Sequence, residues 1–246
     1  MAWSAGQRYL AEFVGTFGLL LSVTGAALLS LNLSGGFDPN GRVQLISLAL
    51  GLGVLGMAYA FGDISGGHFN PAITIGMWVA GRTKTRDVVP YIVAQVIGGI
   101  VAVAVVAGIA YGSSSLWASA QGAALASQGY SGNGSPYTVA LGSVFLLEVV
   151  MTMFLVLVAL RSTASESFAK NLAPVGIALT LAMTNLVAIP VDGASINPAR
   201  SFAPAILSAM WSSDHWANQQ DWLFWVAPIV GAAIAALVEM AMRPKP

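Results

Sequence analysis

The chain has 246 residues, 57% hydrophobic and only 8% charged, with a formal net charge of zero and a mean hydropathy of +0.76. Soluble domains carry roughly 25% charged residues, so this chain lacks the charge to cover a water-facing surface, and its zero balance argues against a nucleic-acid partner. There is no Cys and there are two His, His68 and His215, which excludes disulfides and thiolate sites, leaves too few ligands for a His-based metal centre, and points to no cofactor.

Apolar runs long enough to cross a bilayer as helices, about 20 residues each, fall at 9–31, 43–62, 88–111, 138–160, 172–191 and 221–242. The first is longer than a signal-peptide core and carries Glu12, so it reads as a membrane span. Gly and Ala are frequent in these runs, as close helix packing in lipid requires. Between the third and fourth lies GSSSLWASAQGAALASQGYSGNGSP (112–136), which has no charge and reads as a loop laid over one membrane face. The expected class is therefore an all-α integral membrane protein, one domain over 1–246. Its first repeat is set at about 8–111, its link at 112–137 and its second repeat at 138–242.

Six spans put both termini, the 81–87 link and the 161–171 link on one side. That side collects Arg8, Arg82, Lys84, Arg86, Arg161, Lys170, Arg243 and Lys245, and the other has Arg42. The bias of basic residues toward the inner side predicts cytoplasmic termini and an extracellular link.

Two stretches repeat. SGGHFNPA (65–72) and GASINPAR (193–200) each contain Asn-Pro-Ala, with Asn70 and Asn197 127 positions apart. AEFVGTFGLLL (11–21) likewise resembles LEVVMTMFLVL (147–157), Glu12 matching Glu148. Three spans per half is an odd number, so the second half runs through the membrane inverted, and such repeats place a site at the midplane. The apolar segments after the motifs, about 71–80 and 198–208, are too short to span and read as re-entrant half-helices entering from opposite sides.

Asn is a preferred N-cap and Pro fits the first helical position. The Asn oxygen can take a capping bond while its NH2 donates into a pore. Two half-helix N-termini meeting head to head direct positive dipole ends at the midplane, which disfavours cations and admits a neutral hydrogen-bond acceptor. The lead-ins Gly66, Gly67, His68 and Phe69, and Gly193, Ala194, Ser195 and Ile196, are expected to be extended, with their carbonyls forming an acceptor ladder. Buried Glu12 and Glu148 are expected to accept backbone N–H bonds from the half-loop of their own repeat. His68 reads as a hydrogen-bonded loop residue, Asp63 and Asp192 as solvated loop-end carboxylates, and the tryptophans mostly as an interfacial belt.

ISGGHFNPAITIG, INPARSFAPAI and LFWVAPIVGA resemble the aquaporins of the major intrinsic protein family over nearly the whole chain. The resemblance implies a homotetramer with one pore per subunit, in a bacterial inner (plasma) membrane, passing water and small neutral solutes. It makes Asn70 and Asn197 the pore asparagines and Arg200 the filter arginine. By their spacing from these, the arginine's filter companions are Leu50, Asn185 and Ala194, where similar members carry Phe, His and Thr. Losing two rings predicts a wider, less polar filter. Ser201, Ala205, Phe224 and Trp225 instead resemble the markers of the family's water channels. The expected function is a passive water channel that excludes ions and protons and, with this filter, also passes small uncharged solutes. The alternatives are a broader facilitator for glycerol, urea, ammonia or hydrogen peroxide and, more remotely, a secondary transporter. No enzymatic arrangement of residues is present at membrane depth.

Overall fold

The computed structural model describes residues 3–32, 39–164, 170–211 and 215–243; Lys245 lies outside them. Among the described residues six helices are long and apolar enough to cross a membrane: α1 (Ala5–Leu29), α2 (Pro39–Ser65), α4 (Thr85–Tyr111), α6 (Leu141–Ser162), α7 (Ala173–Asp192) and α9 (Trp216–Ala241). Two short helices follow the repeated motifs, α3 (Pro71–Val79) and α8 (Pro198–Ser208), and α5 (Ser114–Gly122) lies within the link. The order long, long, short, long thus occurs twice. Several spans run a turn or so past their apolar runs, because polar ends continue the helix. At the start of α1, for example, Ser4 and Gln7 form a reciprocal capping box (2.8 and 3.2 Å).

The packing follows the same doubling. α1 packs on α2 and α4, and α6 on α7 and α9, while the half-helices cross over: α3 packs on α9 and α8 on α4. Each half-helix is therefore wedged against the other repeat. Two crossings demand glycine for close approach: a Cβ at Gly98 would run into the Phe13 carbonyl, and one at Gly231 into the Val149 carbonyl. Without a water-driven force between helices in lipid, such backbone proximity supplies the packing.

Ion pairs lock the basic face. Arg8 on α1 binds Asp87 on α4 at 2.9 Å, and Tyr9 donates to the same oxygen at 3.0 Å. Buried Glu239 on α9 takes Arg82 at 2.6 Å and Arg243 at 2.7 Å, and the two arginines also donate to the carbonyls of Leu160 (2.5 Å) and Ala80 (2.8 Å). A carboxylate this buried is stabilised only because two cations reach it.

The link departs from expectation. It does not merely lie over one membrane face: Leu125, Gln128 and Tyr130 are buried, and Gln220 on α9 clamps Tyr130 by accepting from its N–H (2.8 Å) and donating to its carbonyl (3.1 Å). Ala124, Leu125 and Ala126 all have positive φ (43°, 54° and 64°), a conformation costing about 1–2 kcal/mol per non-glycine residue. The tertiary clamp holds what local preference opposes.

Candidate functional site

The two half-loops meet at the centre of the molecule. Asn70 caps α3 by accepting from Ala72 N at 2.8 Å, and Asn197 caps α8 by accepting from Ala199 N at 3.0 Å and Arg200 N at 3.4 Å. Their amide nitrogens then cross between repeats. Asn70 Nδ2 donates to the Ile196 carbonyl at 2.9 Å and Asn197 Nδ2 to the Phe69 carbonyl at 3.0 Å. An amide NH2 has two hydrogens, so each asparagine caps its helix, ties the opposite loop and keeps one N–H for a third group.

Both carboxylates fix the loops. Fully buried Glu12 accepts from His68 N (3.0 Å), Phe69 N (2.7 Å), Ser65 Oγ (2.6 Å) and Gln95 Nε2 (2.7 Å). Equally buried Glu148 accepts from Ser195 N and Ile196 N, both at 2.8 Å. His68 bonds Thr74 Oγ1 through Nδ1 (3.1 Å) and packs edge-on against Tyr91.

The lead-ins are not extended, contrary to the sequence expectation. Gly66, Gly67 and Phe69 have φ of 95°, 64° and 48°, and Gly193, Ala194 and Ile196 have 87°, 54° and 57°. The same positions of the two motifs thus turn left-handed, which glycine tolerates and the other residues adopt with their N–H groups held, Phe69 by Glu12, Ala194 by Asp192 and Ile196 by Glu148. The carbonyls of Phe69 and Ile196 are engaged by the asparagines, so these two serve as cross-repeat acceptors.

A narrow cavity of ≈ 20 Å³ runs past Leu50, Val54, His68, Asn70, Ser195, Asn197 and Arg200, room for about one water. On the basic side it faces a vestibule of ≈ 740 Å³ bordered by Arg8, Asp63, Gly66, Gly67, His68 and Arg82. On the other side a ≈ 200 Å³ vestibule is bordered by Arg42, Ile46, Tyr137, Gly193, Arg200 and Trp216. The structure therefore brings Leu50 and Arg200 together with both asparagines. It does not bring Asn185 to this wall. That side chain is buried and donates back to the Leu181 carbonyl of its own helix at 3.0 Å, and Ala194 is fully buried too. The Leu181 carbonyl, which also takes Thr184 Oγ1 at 2.9 Å, holds back the amide N–H of Asn185, while Asn185 Oδ1 meets no donor among the described residues.

Asp192 is a further correction. Asp63 is exposed as expected, but Asp192 is fully buried and accepts from Ala194 N at 2.7 Å, because the chain turns inward there. Three groups at the mouth escaped sequence reasoning. The Ala126 carbonyl accepts from Arg200 Nη1 at 3.0 Å and so aims the guanidinium. Tyr137, whose phenol burial pushes up to about 12, stays neutral and donates to the Ser127 carbonyl at 3.0 Å. Arg42, near the start of α2, donates to the Ala27 carbonyl at 3.1 Å and sets a second cation at the mouth, which its standing apart from the other basic residues could have signalled.

Residues 1–239 match the family described as major intrinsic protein. The chain is 42% identical over 241 residues to Aquaporin Z of Rhodopseudomonas palustris (strain ATCC BAA-98 / CGA009), covering 98% of this chain and 95% of that one. Its fold is similar to the X-ray structure of the aquaglyceroporin from Plasmodium falciparum, with a TM-score of 0.79 and 23% identity over 97% of each chain. At that identity the likeness speaks for the fold alone. Six spanning helices around two head-to-head half-helices, and sequence similarity along nearly the whole length, lead to one conclusion: the chain belongs to the major intrinsic protein family, whose members are membrane channels and not enzymes.

Proposed function

We propose that the chain is a passive channel for water and, secondarily, for small uncharged solutes, and that it excludes ions and protons. The observation that carries this is the pair of cross-bonded asparagines, each with one N–H left over, in a passage with room for about one water. A molecule entering there exchanges hydration for the donors of Asn70 and Asn197. Arg200 and the two half-helix N-termini oppose cations. Flow follows osmotic or concentration gradients. Similarity to a protein named Aquaporin Z supports water as the main cargo.

The second reading, a broader facilitator, draws on the aliphatic Leu50, which borders the same passage as Arg200 at a place where similar members carry a ring. Leu50→Phe combined with Asn185→His tests it in proteoliposomes by stopped-flow light scattering with water, glycerol and urea. The expected result is fast water flow plus solute uptake that the double substitution abolishes. Fast water with no solute uptake in the native chain would restrict the cargo to water and overturn the wide-filter argument.

The basic face, where Arg8, Arg82, Lys84 and Arg86 gather, is assigned to the cytoplasm by the inside bias of positive charge. By family resemblance the chain works as a homotetramer with a pore in each subunit, in a bacterial inner membrane.

A further inference from the structure

The two half-loops match position for position, and the match singles out one carboxylate. In the first, Ser65 Oγ does two things: it accepts from Gly67 N at 3.1 Å and donates to Glu12 at 2.6 Å. The residue in the same place of the second motif is Asp192. Its Oδ1 accepts from Ala194 N at 2.7 Å, reproducing the acceptor half of the serine's work. Its other oxygen, Oδ2, meets no N–H or O–H donor among the described residues, and the Glu148 carboxyl is its neighbour along the loop, accepting from the next two backbone N–H groups after Ala194, those of Ser195 and Ile196. Both side chains are fully buried.

Two neighbouring ionised carboxylates out of water repel each other, and burial deprives them of the screening that would make this tolerable. Glu12 receives four donors, whereas Glu148 receives two backbone N–H groups. What Glu148 lacks is the hydroxyl that Ser65 gives Glu12. We propose that Asp192 and Glu148 hold one proton between them at neutral pH, so that a carboxylic O–H of Asp192 donates to Glu148 and completes the second half-loop as the Ser65 hydroxyl completes the first.

The charged and titratable groups facing Asp192 are Glu148 on α6, Arg200 at the start of α8 and Tyr137 on the link. With one proton in the pair, Glu148 and Arg200 balance. Without it, two negative charges stand against one positive, and the repulsion acts on the loop Gly193–Ile196 that leads into Asn197 and Arg200. Asp192 is thus a positioning residue for the filter. At alkaline pH the proton passes to hydroxide by way of the outer vestibule, which Gly193 borders, and the loop loosens. The effect on flow rests on the reading of Arg200 as the filter arginine; the proton itself does not.

Infrared difference spectroscopy of the chain in lipid separates the two. The native chain is expected to show the carbonyl stretch of a protonated carboxylic acid at neutral pH, titrating away at high pH. That band is expected to be lost in both Asp192→Ser and Asp192→Asn, and retained in Asp221→Asn, which removes another buried carboxyl outside ion pairs. Water permeability is expected to fall at alkaline pH in the native chain and to stay level in Asp192→Ser. Absence of the band from the native chain, or its persistence in the Asp192 variants, would overturn the shared proton. A band that behaves as expected beside a flat native permeability profile would overturn the loosening of the loop.

Discussion

Glu12→Ala is expected to abolish water flow and to destabilise the fold by about 3–5 kcal/mol, the range for removing one partner of a buried charged network. Four donors converge on that carboxylate; truncation leaves His68 N, Phe69 N and the Ser65 hydroxyl without their acceptor, a desolvation cost of about 1–3 kcal/mol each before relaxation, while Gln95 Nε2 keeps Thr74 Oγ1 at 2.9 Å. The damage does not stay in one repeat. Glu12 holds Phe69 N, and the Phe69 carbonyl holds Asn197 Nδ2, so releasing the first half-loop unties the cap of the second half-helix. Glu12→Gln keeps the shape but turns an NH2 toward groups that are themselves donors, and an intermediate loss is expected. Thermal unfolding in detergent and stopped-flow permeability measure both. A Glu12→Ala chain with native stability and native flow would remove the carboxylate from the account.

Arg200→Ala is expected to leave water flow fast while letting cations through. At an effective dielectric of about 20, a cation roughly 6 Å from a guanidinium is disfavoured by about 3 kcal/mol, roughly a hundredfold in flux. Losing that barrier should raise proton and alkali-cation leak by up to about this factor, the remainder being held back by the half-helix N-termini and by dehydration in the narrow passage. The substitution also takes from the Ala126 carbonyl one of its two donors, Gln128 Nε2 keeping its bond at 2.7 Å, so only a slight loosening of the link is expected with it. Dye-reported proton flux in vesicles gives the answer. An unchanged leak would move ion exclusion wholly onto Asn70 and Asn197.

The residues that could be read from the letters are those whose chemistry is local. Asn70-Pro71 and Asn197-Pro198 spell a helix start, and the caps form as that spelling dictates. Glu12 and Glu148 were legible because a carboxylate at membrane depth must find donors, and the nearest are the half-loops. What was not legible depends on tertiary path. The left-handed turns at Phe69, Ala194 and Ile196 contradict each residue's own preference and exist because the carboxylates bind the N–H groups there. The Ala126 carbonyl that aims Arg200 belongs to the backbone, which no residue type announces, on a link whose composition reads as loop. Asp192 looked like a solvated loop end because a helix ends there; its burial depends on where the loop turns. Asn185 sits at the spacing of a filter residue, yet the Leu181 carbonyl one turn back takes its amide N–H.

A continuous water path past Asn70 and Asn197 sets the temperature dependence of osmotic water flow into proteoliposomes. Flow far above that of protein-free lipid is expected, without saturation, with an activation energy close to that of diffusion in bulk water. Flow no faster than lipid, or a steep, saturable dependence as alternating access would give, would contradict it.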